Sequence, residues 1–274
     1  MKTWLITGCS SGIGAGIAKA VLAGGDQAVV TARNTDAVKE IVDAYPDTAL
    51  AVRLDVTKDE DIKNAVRAAA ERFGNIDVLV NNAGYGYRSS VEEGQSSGVM
   101  QMYSTNLFGP IELIKEVLPQ MRERKSGAIV NVSSIAAVRS AVGSAYYASS
   151  KAALELMTDG LARELEPLGI KVMIVEPGAF RTHFYDSSLK GTDVRITDYD
   201  ATAGTKRVEN VVNKKNQPGD PDKAGAVIKE TIEKDEYPRC LLLGSDAVRI
   251  VTAAYEDKLR EIEVWKDVSI RTDY

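Results

Sequence analysis

Tyr147 and Lys151 stand four residues apart in Tyr147-Ala148-Ser149-Ser150-Lys151, and in a helix that spacing puts a phenol and an ammonium on one face. An unperturbed phenol titrates near ~10 and exchanges protons poorly at neutral pH, whereas a neighbouring cation favours the phenolate and lowers that value. Lys151 is thus placed to make Tyr147 a proton donor and acceptor. The adjacent Tyr146 has the uncharged Ser150 at the same spacing, so the chemistry is expected at Tyr147.

A second constellation opens the chain. Thr7-Gly8-Cys9-Ser10-Ser11-Gly12-Ile13-Gly14 ends an apolar run and precedes the helical pattern Ile17, Ala18, Val21, Leu22. Glycines at such a turn let backbone N–H groups approach a pyrophosphate at a helix N-terminus. Their spacing, Gly-x-x-x-Gly-x-Gly, departs from the Gly-x-Gly-x-x-Gly fingerprint. The same residues also fit a Gly-x-Ser-x-Gly elbow, which would make Ser10 a hydrolase nucleophile. That chemistry needs a base and an orienting acid. The only histidine, His183, lies in an irregular segment rather than near the chain end, which leaves hydrolysis as the lesser alternative.

The run Ala28-Val29-Val30-Thr31-Ala32-Arg33-Asn34 carries no carboxylate at its end to bond the ribose hydroxyls of NAD. Arg33 stands there instead and suits a 2′-phosphate. The expected cofactor is therefore NADP(H) in preference to NAD(H).

These residues need a frame. Short β-branched apolar runs at 3–7, 27–32, 49–54, 76–81, 127–132 and 170–175 alternate with helical patterns, which predicts βαβ units and a parallel sheet. A seventh run, Cys240-Leu241-Leu242-Leu243-Gly244, follows a helix that Asp220-Pro221 would start, Asp as N-cap and Pro at the first helical position. The expected fold is a doubly wound α/β domain with about seven parallel strands, spanning the whole chain. Residues 179–219 break the rhythm, with Phe180, Phe184, Tyr185 and Tyr199 but little periodicity. A connection of that length reads as a substrate lid.

Composition narrows the classes. The 274 residues suffice for one large α/β domain, and with only 8 Pro nothing suggests a string of units. The net charge of −5, with no basic cluster beyond the pair Lys214 and Lys215, argues against a nucleic-acid partner. Two distant cysteines, Cys9 and Cys240, fit a reducing compartment. The sequon Asn131-Val132-Ser133 lies in an apolar strand pattern, and no run approaches the ~20 apolar residues of a membrane span. A soluble, cytoplasmic protein without a metal site is expected.

Taken together, the chain resembles the short-chain dehydrogenase/reductase family over roughly its whole length, most closely from Met1 to Thr182. The resemblance rests on Thr7 through Gly14, Leu54-Asp55-Val56, Asn81-Asn82-Ala83-Gly84, Asn106, Ser133-Ser134, Tyr147 with Lys151, and Pro177-Gly178 with Thr182. It implies that Gly8, Ser10, Ser11, Gly12, Ile13 and Gly14 cradle the pyrophosphate and that Asp55, beside Val56, bonds the adenine amino group. Asn81, Ala83 and Gly84 would line the adenosine side. Pro177, Gly178 and Thr182 would hold the nicotinamide carboxamide and the pyrophosphate. It further implies that Ser134, thirteen residues before Tyr147, holds the substrate carbonyl. Tyr147 would pass the proton, Lys151 would lower the Tyr pKa and bond the nicotinamide ribose, and Asn106 would support a water relay. A homodimer or homotetramer built partly on the helices of Asn106 and Tyr147 is implied as well.

Hydride adding to a carbonyl leaves a developing alkoxide, which hydroxyl donors stabilise and an acid must protonate. The expected activity is reversible hydride transfer between NADP(H) and a carbonyl or secondary alcohol. Aromatic residues of the lid, with Tyr85 and Tyr87, suggest an apolar small-molecule substrate, though the same residues equally suit packing. A non-catalytic NADP-binding regulator is the alternative from another class.

Overall fold

The computed structural model describes residues 1–186, 188–211 and 215–274, so Lys214 of the basic pair lies outside the described residues. The elements follow in the order β1 (Thr3–Ile6), α1 (Gly12–Ala23), β2 (Gln27–Ala32), α2 (Lys39–Asp43), β3 (Ala49–Arg53), α3 (Asp59–Phe73), β4 (Val78–Asn81) and β5 (Gly86–Arg88). Then come α4 (Ser96–Tyr103), α5 (Gly109–Arg124), β6 (Gly127–Val132), α6 (Ala145–Leu165), β7 (Ile170–Pro177) and β8 (Leu189–Gly191). The chain closes with α7 (Pro221–Glu233), β9 (Cys240–Leu243) and α8 (Ser245–Ser269).

Seven of the strands form one sheet in the order β3-β2-β1-β4-β6-β7-β9, every neighbouring pair parallel. These are the seven apolar runs of the sequence, and their continuous apolar character has a simple cause: both sheet faces are covered. Alternation along β1 sends Trp4 and Ile6 to the face under α1 and α7, and Leu5 to the face under α3, α5 and α6. Each of the three is fully buried, and burying one such side chain stabilises the fold by about 2 kcal/mol. The chain winds outward in both directions from β1 and β4. Their carboxyl ends therefore open a crevice at the point where strand order reverses, the position at which α/β sheets bind ligands.

Helix α7 starts as expected. The Asp220 side chain accepts from the N–H groups of Asp222 and Lys223 at 2.9 and 3.4 Å, with Pro221 in the first turn. It packs against α1 so closely that a Cβ on Gly16 would lie 2.1 Å from the Pro221 carbonyl oxygen. Between α4 and α5 the chain makes one π-helical turn, Ser104–Phe108, closed by the Gly109 N–H on the Ser104 carbonyl. Such wide turns recur at functional sites, and this one carries Asn106.

The described residues between 179 and 219 form short 3₁₀ turns and β8, and β8 pairs in parallel with β5. A buried ion pair fastens it: Arg207 binds Glu93, which also accepts from Ser90 and from the Ile196 N–H. Burial alone would push the Glu93 carboxyl up, but these donors pull it down to about 2. At the other end, α8 docks through Ala247 and Val251, and from Tyr255 onward it is exposed. Among the described residues no helix is long and apolar enough to cross a membrane.

Candidate active site

The first turn of α6 separates the two phenols. Tyr146 donates its hydroxyl to the Val91 carbonyl at 2.7 Å and packs edge-on against Tyr87. Tyr147 faces the crevice, half-buried, its ring 5.6 Å from that of Phe184, which meets Tyr185 edge-on at 5.3 Å. One turn later Lys151 is 4% exposed and donates to the Val132 carbonyl at 2.8 Å, leaving two N–H groups for other partners. Burial pushes the Lys151 ammonium down to about 8, with Glu155 opposing.

The phenol departs from the sequence expectation. Burial pushes Tyr147 up to about 12, and the influences that offset it come from the Ser134 hydroxyl and the Arg88 guanidinium. Lys151 was expected to lower it, but in this structure its ammonium turns to the Val132 carbonyl. The phenol is thus held protonated at neutral pH. Ser134 lies just beyond β6, half-buried, with its Oγ accepting from the Ala136 N–H at 3.1 Å. Its neighbour Ser133 is 4% exposed, with its hydroxyl turned into the protein.

Asn106 is fully buried in the π turn. Its amide pairs with both main-chain groups of Tyr85, accepting from the N–H at 3.1 Å and donating to the carbonyl at 3.0 Å, and it also donates to Ser150 Oγ at 3.1 Å. A Cβ on Gly84 would lie 3.1 Å from Asn106 Oδ1 and 3.3 Å from Lys151 Nζ. Gly84, Asn106 and Lys151 are therefore one packed unit, and the loop after β4 is fixed to α6 through it.

The glycine turn sits at the carboxyl end of β1. Gly8 and Gly12 adopt φ of +71° and +62°, a region open to glycine. At Gly14 a Cβ would come within 2.4 Å of both the Gly8 carbonyl oxygen and Asn82 Nδ2, and one on Gly12 would meet Thr182 at 3.1 Å. The turn is thus a bare backbone cradle closed on one side by Thr182. Ser10 is exposed, Ser11 stands at the N-cap of α1 with no capping bond from its side chain, and Ile13 packs on the core. Asn82 holds the cradle from behind, donating to the Thr7 and Gly8 carbonyls at 2.9 and 3.2 Å. Thr7 Oγ1 accepts from the Asn82 and Ala83 N–H groups, each at 2.9 Å. Asn82 is absent from the site expected from sequence, although it lies within the quoted run.

Farther out, Arg33 is exposed at the end of β2, and its charge reaches Asp55 and Tyr85. Burial works against the Asp55 carboxylate, yet the Thr57 N–H and hydroxyl, at 3.0 and 2.8 Å, with Arg33 nearby, hold it below the usual range. Both donors meet Oδ1, which leaves Oδ2 available to a ligand. Val56 keeps its side chain in the core. Asn81 belongs to the sheet rather than to the crevice: it is 2% exposed and donates to Asn131 Oδ1 at 2.9 Å, and Asn131 donates to Thr158. Pro177 ends β7, and Gly178 packs so tightly on Asp246 that a Cβ would lie 2.4 Å from its Oδ1.

The hydrolase alternative finds no support. His183 is exposed and pairs with Asp186 at 3.5 Å, and no hydrogen bond joins it to Ser10 among the described residues. Of the two readings open for Tyr87, the structure gives packing: it is 2% exposed and lies with Val99 and Met102. Two residues that the sequence did not single out, Arg88 and Glu155, stand close to Tyr147 and Lys151, beside Phe184 of the lid. Phe184 covers the phenol, while Arg88 and Glu155 bear on it and on the ammonium electrostatically. Glu155 had a readable signal, since it follows Lys151 at the helical spacing that ties Lys151 to Tyr147. Arg88 had none, because the aromatic residues it bears on, Tyr147 and Tyr185, lie far downstream in the chain.

Comparison with known proteins agrees with this geometry. Residues 2–193 match the short chain dehydrogenase family. The chain is 34% identical to oxidoreductase BOA17 of Botryotinia fuckeliana over 270 residues, 98% of each chain. A short-chain dehydrogenase crystal structure from Streptomyces avermitilis superposes with a TM-score of 0.92 at 42% identity, covering 99% of this chain and 98% of that one. The 3-ketoacyl-(acyl-carrier-protein) reductase of Brucella melitensis, solved in complex with NADH, superposes with a TM-score of 0.75 at 26% identity over 88% of this chain and 96% of its own. With its sheet order, glycine cradle and Tyr147–Lys151 face, the chain belongs to the short-chain dehydrogenase/reductase family and is an NAD(P)-binding oxidoreductase.

Proposed function

We propose that the protein transfers a hydride between NADP(H) and a carbonyl or secondary alcohol of a small molecule with a substantial apolar part. The observation that carries this reading is Tyr147, a phenol held protonated in an aromatic niche, beside the Ser134 hydroxyl. The cofactor fits the residues present. Gly8, Gly12 and Gly14 keep the turn bare of side chains and tight against Ala83, Thr182 and Asn82, Ser10, Ser11, Ile13 and Thr182 border it, and Asp55 has one oxygen not engaged by Thr57 at the adenosine end beside Ala83 and Gly84. Arg33 suits the 2′-phosphate that distinguishes NADP(H) from NAD(H), which the cradle also accommodates.

The bound nicotinamide supplies or accepts the hydride. All other steps fall to the chain. Ser134 donates to the substrate carbonyl oxygen, and Tyr147 gives that oxygen its proton as negative charge develops there. Lys151, with two unused N–H groups, holds the ribose hydroxyls near the phenol, and Asn106 keeps the loop at Tyr85 in register with α6. Because the phenol is held protonated, reduction starts with its proton in place, whereas oxidation of an alcohol must first form a buried phenolate. Residues 179–219 act as a lid that brings Phe184 and Tyr185 over the phenol and excludes water.

The test is nicotinamide absorbance with matched NADPH and NADH across aldehydes, ketones and oxo acids, with Tyr147→Phe alongside. The expected result is NADPH oxidation that disappears in the variant while cofactor affinity is retained. Undiminished turnover in Tyr147→Phe would overturn the assignment.

A further inference from the structure

Arg88 ends β5, and strand alternation puts its side chain on the same face as that of residue 86. The face at Gly86 is known from its surroundings: a Cβ there would lie 2.9 Å from the Phe184 ring, the ring that packs on Tyr147 and Tyr185. The Arg88 guanidinium thus belongs to the niche of the phenol, and its charge bears on both Tyr147 and Tyr185. It is half-buried, and burial lowers its proton affinity. Its Nε has no hydrogen-bond partner, and among the described residues no carboxylate lies within ion-pairing distance of it.

The neighbouring arginines show that this is not the habit of the segment. Arg207 binds Glu93 and, at 2.6 Å, Asp200, while Arg195 meets Glu209 at 2.8 Å. Of these three, Arg88 alone stands half-buried on an ordered strand without an ion-pair partner among the described residues. A desolvated charge without a partner costs stability, and such a cost at a site points to a ligand that supplies the partner. The planar guanidinium fork matches a carboxylate through two parallel N–H donors.

We propose that Arg88 binds a carboxylate of the substrate, so that the protein acts on oxo acids with an aromatic or aliphatic body rather than on neutral carbonyl compounds. The inference rests on the hydride-transfer reading and names its substrate class. Phe184 and Tyr185 cover the apolar body, Ser134 and Tyr147 meet the carbonyl oxygen, and Arg88 fixes the charged end. Nothing in the chemical step changes: hydride reaches the carbonyl carbon, Tyr147 supplies the proton, and the carboxylate keeps its charge throughout.

The experiment compares phenylpyruvate and benzoylformate with their methyl esters, using NADPH and wild type, Arg88→Met and Arg88→Lys. A parallel calorimetric titration uses phenylpropanoate and its neutral amide as ligands that cannot be reduced. Wild type should prefer acid over ester by at least about tenfold in kcat/KM, a factor worth about 1.4 kcal/mol. Arg88→Met should bring that ratio near unity, and Arg88→Lys should retain part of it. Arg88→Met should also melt no lower than wild type, because the charge it removes has no ion-pair partner among the described residues. Equal use of acid and ester by wild type, or an unchanged ratio in Arg88→Met, would overturn the proposal while leaving hydride transfer standing. If no carbonyl compound is reduced, hydride transfer fails, and calorimetry then decides: phenylpropanoate binding lost in Arg88→Met upholds the carboxylate site, and equal binding of acid and amide refutes it.

Discussion

Replacing Glu155 by Gln should make the protein more stable at alkaline pH and leave it nearly unchanged at acid pH. Glu155 lies one turn beyond Lys151 with Oε1 buried and unpartnered, near Glu176, whose Oε2 is in the same condition and whose Oε1 accepts from Cys240 Sγ at 2.7 Å. Burial, with repulsion from Glu176, pushes the Glu155 carboxyl from its ordinary 4.5 up to about 7, against the Ser133 hydroxyl and the Lys151 charge. The sign follows from linkage: a carboxyl whose folded value is raised stabilises the fold fully below its unfolded value, and that contribution is lost as pH rises through the folded one. The window is therefore pH 4.5 to about 7. At about 1.4 kcal/mol per unit of pH, the loss reaches about 3 kcal/mol above the window. The amide introduced by Glu155→Gln does not titrate, so urea denaturation should give equal stabilities near the lower end of the window and an advantage of up to about 3 kcal/mol for the variant above its upper end. Lys151, whose lowered value is partly restored by Glu155, should titrate lower still in the variant. A stability difference that stays flat between the two ends of the window would refute the placement of a buried, protonatable carboxyl behind Lys151.

Two further outcomes test the cofactor side. Gly14→Ala inserts a methyl group 2.4 Å from the Gly8 carbonyl and from Asn82, so the cradle must shift. Fluorescence titration should show NADPH affinity reduced by an order of magnitude or more, a loss of about 1.4 kcal/mol, and unaltered affinity would mean that the turn does not hold the phosphates. Arg33→Asp should invert the preference between NADPH and NADH in kcat/KM, and an unchanged ratio would assign the 2′-phosphate to another residue.

Much of this architecture is legible along the chain because its signals are local. Six of the seven sheet strands are short runs containing β-branched residues and the seventh is a short leucine run, and the Asp220-Pro221 start of α7 is written in two adjacent positions. The glycine cradle is legible too, because Gly8 and Gly12 occupy conformations that favour glycine. What stayed hidden depends on partners far away in sequence. The pairing of β5 with β8 joins residues about a hundred positions apart, so nothing local marks Gly86–Arg88 as a strand or singles out Arg88. Tyr87 reads equally as ligand lining or as packing, and only its contacts with Val99 and Met102 decide for packing. Asn81 reads as part of the crevice, but its contact with Asn131 of β6 draws it into the sheet. The state of Tyr147 was hidden for a different reason: helical spacing reports that a lysine is near, but not that burial outweighs its charge.

The attachment of the lid also bears on how such a protein can change over generations. Residues 179–219 meet the β5 region through a three-residue ladder, Gly86–Arg88 with Leu189–Gly191, and through the Arg207–Glu93 pair, while their two ends converge at the bridge between Phe180 and Gly219. The seven-stranded sheet, the glycine turn and the Tyr147–Lys151 helix share few of those contacts. An insertion or exchange between Tyr185 and Gly219, beyond Thr182 and Phe184, can therefore reshape the substrate niche while the hydride-transfer apparatus keeps its geometry. The same boundary should make this segment a separate opening unit in hydrogen exchange, so that selectivity and catalytic power are inherited on different parts of one chain.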